Sequence, residues 1–287
     1  MELESILRSI YPDKNQIGCL SGVVSDLGHI LQNGSKLLKI KKVIPAGSLG
    51  RNTILKGHLE VDCVYILEHN DYSFSHNYEE VINTLRKKLP KKVQYQPKKH
   101  SIHFNLERPI GIISVDLLPA FEINSEKQMR EVRNKNAHYG STTLIQDKYF
   151  ANVKKKYPRF TDLVRLLKLW RNSHHIPLTS YMLELIVANS VKDTSQGEEF
   201  SFYLEVCFST IQSFIDGRKI KPVFWDNSKL EINYSKNNLW ILDPSYLSEN
   251  IAEKITEKDK GLIKSEASKG ITNIQNEKFD FLMNKST

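Results

Sequence analysis

The sequence predicts an α+β protein, with an α/β first half and a mostly helical second half, and three observations carry that reading. Up to about Phe121, segments rich in β-branched and aromatic residues follow and alternate with helical patterns. Beyond it, apolar residues recur at helical spacing over 160–172, 180–191 and 200–215. Between the two regimes, 126–139 is polar and charged, as a connection would be. The chain therefore divides into a first part, 1–125, and a second, 126–287. Its lysine- and glutamate-rich tail after about 252 is expected to be a solvated terminal helix or partly disordered.

The elements follow in order. From about Gln16 to Gln32, the apolar Ile17, Leu20, Val23, Val24, Leu27, Ile30 and Leu31 keep helical spacing, and Asn33-Gly34 supplies a stop. A long first helix results. Residues 41–46 lead into Gly47-Ser48, and 59–67 alternate in the manner of a strand. Helical spacing returns over 77–89. Two further strands, 101–106 and 111–118, are separated by a turn at Arg108-Pro109.

Of 287 residues, 40% are hydrophobic, enough for a sizeable core, and no stretch approaches the eighteen or so apolar residues of a membrane span. Residues 1–12 carry Glu2 and Glu4 where a signal peptide would be positive and then greasy, so the cytoplasm is the expected compartment. The net charge of +8 favours anionic partners such as nucleotides, nucleic acid or acidic lipid. Cys19, Cys63 and Cys207 show no CxxC spacing, so buried thiols are expected, with neither a disulfide framework nor structural zinc.

Chemistry concentrates in one constellation. Gly47-Ser48-Leu49-Gly50-Arg51-Asn52-Thr53 joins a strand to the next segment, and its small residues let backbone N–H groups approach a triphosphate, with Ser48 and Thr53 as hydroxyl donors. Glu60 and Asp62 are two apart on a strand, so both carboxylates project from one face and suit Mg²⁺. Asp116 lies inside the apolar run 112–118, where a lone charge is costly unless paired or metal-bound. Taken singly, each carboxylate reads more simply as a surface or turn charge. Together, after a Gly-Ser turn, they read as a two-metal site for phosphoryl transfer.

The run Gly47-Ser48 through Arg51-Asn52-Thr53 to Glu60 and Asp62, with Asp116-Leu117-Leu118-Pro119-Ala120-Phe121, resembles the signature of the oligoadenylate synthetase and cyclic GMP–AMP synthase group, including its bacterial relatives. The second motif is the more specific. The resemblance spans about Lys41 to Ala252 and implies a polymerase β-like nucleotidyltransferase lobe with a mixed sheet. The first long helix would pack on both lobes, and the active site would lie in the cleft before a helical second lobe. It implies Glu60, Asp62 and Asp116 as metal ligands and catalytic residues for two Mg²⁺ or Mn²⁺ ions, with pyrophosphate released. Arg165 and Lys168, in Asp162 to Trp170, are similar to residues that reach the donor triphosphate. Ser180-Tyr181 is similar to a helix start on whose tyrosine a nucleobase stacks. Residues 221–223 and 241–244 resemble two short strand-like elements that close the second lobe.

The implied activity is template-independent synthesis of a nucleotide second messenger, a cyclic di- or trinucleotide or a 2′-5′-linked oligoadenylate, from ATP with or without GTP, in antiviral signalling. Glu60 departs from the Asp-x-Asp of oligoadenylate synthetases and blurs linear against cyclic product. Lysine-rich stretches at 36–42, 86–99 and 154–159 permit a double-stranded RNA or DNA activator. Two alternatives stand beside this: an RNA 3′-end nucleotidyltransferase of the poly(A) or CCA-adding type, and a catalytically inactive scaffold that binds duplex RNA. Three intact carboxylates argue against the scaffold.

Overall fold

The computed structural model describes residues 2–34, 38–68, 78–122, 139–192, 194–195, 197–223 and 239–283. Contacts divide the chain into two compact units, one of Pro12–Lys148 and one of Met1–Tyr11 with Tyr149–Thr287. The boundary thus falls between 148 and 149, inside a helix, rather than at 125. No helix among the described residues is long and apolar enough to cross a membrane.

The 12–148 unit holds α2 (Lys14–Gly34), β1 (Ile40–Pro45), α3 (Gly47–Gly50), β2 (Glu60–Leu67), α4 (Tyr78–Arg86), β3 (Tyr95–Pro97), β4 (Ile102–Arg108) and β5 (Gly111–Ala120). The five strands form one sheet in the order β1-β2-β5-β4-β3. Only β2 and β5 run parallel, so the sheet is mixed, as expected. Alternation assigns the faces. Val61, Cys63 and Tyr65 of β2, with Ile113, Val115 and Leu117 of β5, point into a core shared with Leu20, Val23 and Leu27 of α2 and with Val81 and Leu85 of α4. Each such side chain contributes about 1.5–3 kcal/mol when fully buried. The opposite face begins with the carboxylates and ends apolar: Val64, Ile66 and Ala120 pack with Ala46, Leu118 and Leu144.

The other unit starts with α1 (Leu3–Ile10), which precedes the helix expected to be first. Its buried Leu3, Ile6, Leu7 and Ile10 make one apolar stripe. Also unanticipated is α5 (Tyr139–Lys156), the helix that carries the boundary. Then come α6 (Phe160–Ser173), α7 (Ser180–Val191) and α8 (Phe200–Ile215), within a residue of the helical segments expected. A small pair of strands, β6 (Leu242–Asp243) and β7 (Tyr246–Asn250), follows, with Ile220 bridged to Ile241. The element expected at 241–244 is found as β6, whereas the one expected at 221–223 forms no strand and only follows the single bridged residue Ile220.

The tail is a packed helix, α9 (Glu257–Gln275), that buries Ile263, Ala267, Gly270 and Ile274. It is neither solvated all round nor disordered, because those four residues at spacings of three and four seat it on α8. A capping box between Thr256 and Asp259 starts it. Cys63 and Cys207 are buried as expected, but Cys19 is only half-buried, since it borders rather than enters the stripe that α2 buries. The polar connection read at 126–139 lies almost wholly outside the described residues.

Candidate active site

The turn after β1 positions the first half of the site. Ala46 is extended, Gly47 takes φ +55° and the backbone coils into α3. The Ala46 N–H donates to Asp62 O at 2.8 Å, which fixes the turn against β2. A Cβ on Gly47 would stand 2.0 Å from Asp62 Oδ2, so only glycine lets the turn lie over that carboxylate. Arg51 is buried, with its Nε donating to Asp147 Oδ1 at 2.7 Å, so the motif's arginine ties the turn to α5. Thr53 is fully buried and its N–H donates to Ser48 O at 2.8 Å, so it braces the turn from beneath instead of facing a ligand.

The strand carrying Glu60 and Asp62 is anchored one step earlier. The buried Gln16 of α2 donates to the carbonyls of Leu55 and His58, both at 3.0 Å, and accepts from the Gly57 N–H at 3.0 Å. That pins the loop entering β2. On β5, Asp116 pairs in register with Asp62, so the parallel strands place both on the same face. Glu60, Asp62 and Asp116 each offer a carboxylate oxygen within 4.8 Å of the others. Three hard oxygen donors at that spacing, with no Cβ on Gly47 to crowd them, fit divalent cations.

Asp116 is held by a set of residues the sequence reading did not single out. Lys98 Nζ donates to its Oδ1 at 2.9 Å and its Oδ2 at 3.3 Å, Ser101 Oγ donates to Oδ1 at 3.1 Å, and His103 Nδ1 lies 3.3 Å from Oδ2. A signal for His103 was present. The two-residue turn at Pro109-Ile110 pairs Arg108 with Gly111, and five steps back along β4 match five steps forward along β5, which sets His103 opposite Asp116. Behind the site, burial pushes the Cys63 thiol pKa well up, and the negative charges of Asp62 and Asp116 push it further. That thiol is inert at neutral pH.

The helical unit brings Arg165, Lys168, Ser180 and Tyr181 onto α6 and α7. Arg165 is 2% exposed, lies 3.3 Å from Asp162 Oδ1 and has its guanidinium 4.4 Å from the Tyr11 ring centroid. Lys168 is 3% exposed and 3.4 Å from the buried Glu184. Both basic residues therefore sit inside the unit against its own acids, because a buried cation needs a partner, rather than on its surface. Ser180 Oγ accepts from Arg171 at 2.9 Å, and the half-buried Tyr181 meets Phe150 edge-on with centroids 5.9 Å apart. Only these two, of the four, reach solvent.

No family profile matches the chain. The CBASS oligonucleotide cyclase CdnC of Escherichia coli strain KTE188 is 28% identical over 238 residues, which make up 78% of this chain and 73% of that relative. CdnC of E. coli MS115-1, solved with ATP, matches with a TM-score of 0.75 at 18% identity, covering 100% of this chain and 98% of that one. The chain is thus similar to an oligonucleotide cyclase and shares the fold of the solved CdnC. CdnC has also been solved in complex with HORMA-deltaN, matching at a TM-score of 0.73, 18% identity and coverage of 100% and 98%. CdnG of Bradyrhizobium diazoefficiens, solved with GTP, shares the fold at a TM-score of 0.62 and 12% identity, covering 97% of this chain and 93% of that one. The polymerase β-like fold expected from the motifs is thus the fold found.

Proposed function

We propose that the chain joins nucleoside triphosphates, ATP with or without GTP, into a cyclic di- or trinucleotide or a 2′-5′-linked oligoadenylate that signals in antiviral defence. The observation that carries this reading is the trio Glu60, Asp62 and Asp116, within 4.8 Å of one another beside the Gly47-Ser48 turn. The naming of its relative as an oligonucleotide cyclase, and the solved relatives with ATP and GTP, support it.

In this reading the three carboxylates hold two Mg²⁺ or Mn²⁺ ions, which neutralise triphosphate charge and acidify the attacking hydroxyl when bound. The chain's own residues do the rest. The Gly47 and Ser48 amides and the Ser48 hydroxyl receive triphosphate oxygens. Asp116, held by Lys98, Ser101 and His103, takes up the proton of the acceptor ribose hydroxyl. The hydroxyl oxygen bonds to the α-phosphorus as the α–β phosphoanhydride breaks, and pyrophosphate leaves. Tyr181 offers a face for a base and Ser180 a hydroxyl, while Arg165 and Lys168 act through the helix they hold.

The test is to incubate the protein with labelled ATP, GTP, CTP and UTP plus Mg²⁺ or Mn²⁺, with Asp62→Asn as control, and to resolve phosphatase-resistant products by mass. Resistant product from wild type only is expected, and its mass separates cyclic from linear. Extension of an added RNA 3′ end instead would install the RNA-polymerase alternative, and equal product from the variant would end the catalytic reading. The described lysines of 86–99 and 154–159 support a duplex nucleic acid activator bound through phosphates; Lys36 lies outside the described residues. A gel shift without binding to long duplex RNA at low salt would remove that activator. It would leave a protein partner of the kind CdnC's complex with HORMA-deltaN exemplifies.

A further inference from the structure

The helical unit holds a small polar pocket that the proposed reaction does not use. Its walls include the last turn of α7 and one face of α8, its volume is about 230 Å³, and it is lined by Asn189, Ser190, Phe202, Val206, Thr210 and Arg218, among others. That is below the roughly 300 Å³ where sites for drug-sized ligands begin. Phe202, Val206 and Thr210 are four apart, so they form one stripe of α8. The stripe descends from solvent: Phe202 is 43% exposed, Val206 is half-buried and Thr210 is buried.

The buried end of the pocket is built of acceptor oxygens. Asn189 is 2% exposed, and its Nδ2 donates to Lys221 O at 3.0 Å. A carbonyl only accepts, which fixes the orientation of the amide and leaves Oδ1 buried with no donor among the described residues. Such an acceptor is costly unless something donates to it. Ser190 Oγ donates to Ile186 O and Thr210 Oγ1 to Val206 O, both at 2.8 Å, so each hydroxyl has spent its hydrogen on the carbonyl four residues back. Beyond the contact of Ser190 with the buried Cys207 thiol, both have only lone pairs to offer. Asn189 and Ser190 also stand at the C-terminal end of α7, where the helix dipole is negative and favours a cation. Two exposed charges complete the lining: Arg218 follows the end of α8 and Glu198 precedes its start, so they flank the stripe from opposite ends.

We infer that this pocket binds a free α-amino acid with an apolar or basic side chain. Its α-ammonium meets Asn189 Oδ1, Ser190 Oγ and Thr210 Oγ1, its α-carboxylate meets Arg218, and its side chain runs along Val206 and Phe202. An ammonium has three hydrogens to give and no lone pair, which matches three buried acceptors. In an α-amino acid the carboxylate hangs from the same carbon as the ammonium, and Arg218 stands at the Thr210 end of the stripe with a planar fork of five donors. The side chain then points toward Glu198, which turns away an acidic one. None of these residues belongs to the unit that carries Glu60, Asp62, Asp116 and the Gly47-Ser48 turn, so the inference stands apart from the proposed nucleotidyltransfer.

The test titrates the full chain with L-norleucine by calorimetry. N-acetyl-L-norleucine, which lacks the ammonium, and L-norleucine amide, which lacks the carboxylate, probe the two polar contacts, and L-glutamate probes the side-chain end. Wild type is expected to bind norleucine and to bind the other three more weakly. Asn189→Leu is expected to weaken norleucine by about ten-fold, since it removes an acceptor for a charged donor. Arg218→Gln is expected to weaken norleucine by about three-fold and to leave the amide unchanged. A thermal melt reports folding, and because Arg218 is exposed, its comparison of norleucine with the amide decides the matter even where Asn189→Leu does not fold. No binding of norleucine to wild type overturns the inference, as does equal binding by wild type and a folded Asn189→Leu. It is overturned too where the acetylated compound, the amide or glutamate binds wild type as tightly as norleucine, or where Arg218→Gln weakens the amide as much as norleucine. Asp62→Asn is expected to bind norleucine as wild type does, so a failure of the proposed reaction leaves this result readable.

Discussion

One added carbon at Gly47 would meet Asp62 Oδ2 at 2.0 Å and Asp62 Cγ at 2.8 Å, on a backbone at φ +55°. Gly47→Ala must therefore move either the turn or the carboxylate, at a backbone cost of about 1–2 kcal/mol. The expected result is a modest fall in the urea midpoint with a loss of product of about a hundred-fold or more, since a misplaced ligand costs far more in rate than in stability. Unchanged activity would mean the turn does not position Asp62. Lys98 poses a different question, because its ammonium sits where a cation would approach Asp116. Lys98→Met is expected to lower the Mn²⁺ concentration needed for half-saturation, read by electron paramagnetic resonance, because a competing charge is gone. Weaker Mn²⁺ binding would show instead that Lys98 orients the carboxylate for the metal. The trio itself was legible because two carboxylates two apart on a strand need no tertiary knowledge. Lys98, Ser101 and His103 were not singled out because their relation to Asp116 depends on hairpin register.

At the scale of elements, legibility follows the strength of the apolar stripe. The α6, α7 and α8 segments were readable nearly to the residue because large apolar side chains dominate them. The tail helix α9 was not readable as packed, since its buried stripe consists of Ile263, Ala267, Gly270 and Ile274, two of them small and set among lysines and glutamates. What makes it pack is closeness: a Cβ on Gly270 would lie 2.8 Å from Phe208 Cε1. Gly270→Val is expected to lose about 1–3 kcal/mol through overpacking of α9 on α8, seen as a lower thermal midpoint, whereas Gly261→Val, with open space around it, should not. Equal midpoints would mean that α9 is only loosely seated. His174 bears on the same region, with Nδ1 3.0 Å from Glu266 Oε2 and Nε2 2.6 Å from Phe281 O, tying α6 to α9 and to the turn that follows it.

Across the whole molecule, tyrosine hydroxyls are a shared liability that composition alone could not show. Burial raises the pKa of Tyr78 to about 12, and raises those of Tyr65, Tyr95 and Tyr149 as well. Tyr11 reaches about 12 through burial, then through its hydrogen bond to Asp162 and that residue's negative charge. In each case the folded protein keeps a proton that the unfolded chain gives up near the ordinary value of 10. The stability these groups contribute is therefore fully present below pH 10 and is lost as pH rises through the folded values, about 12 for Tyr11. Urea midpoints are expected to show no tyrosine-linked change near neutrality and to fall steeply above pH 10, and Tyr11→Phe should fall less steeply because one of the coupled protons is gone. Identical slopes for wild type and Tyr11→Phe would show that the Tyr11 hydroxyl, which links the first helix to Asp162 across 151 positions of sequence, keeps its ordinary affinity for its proton in the folded chain.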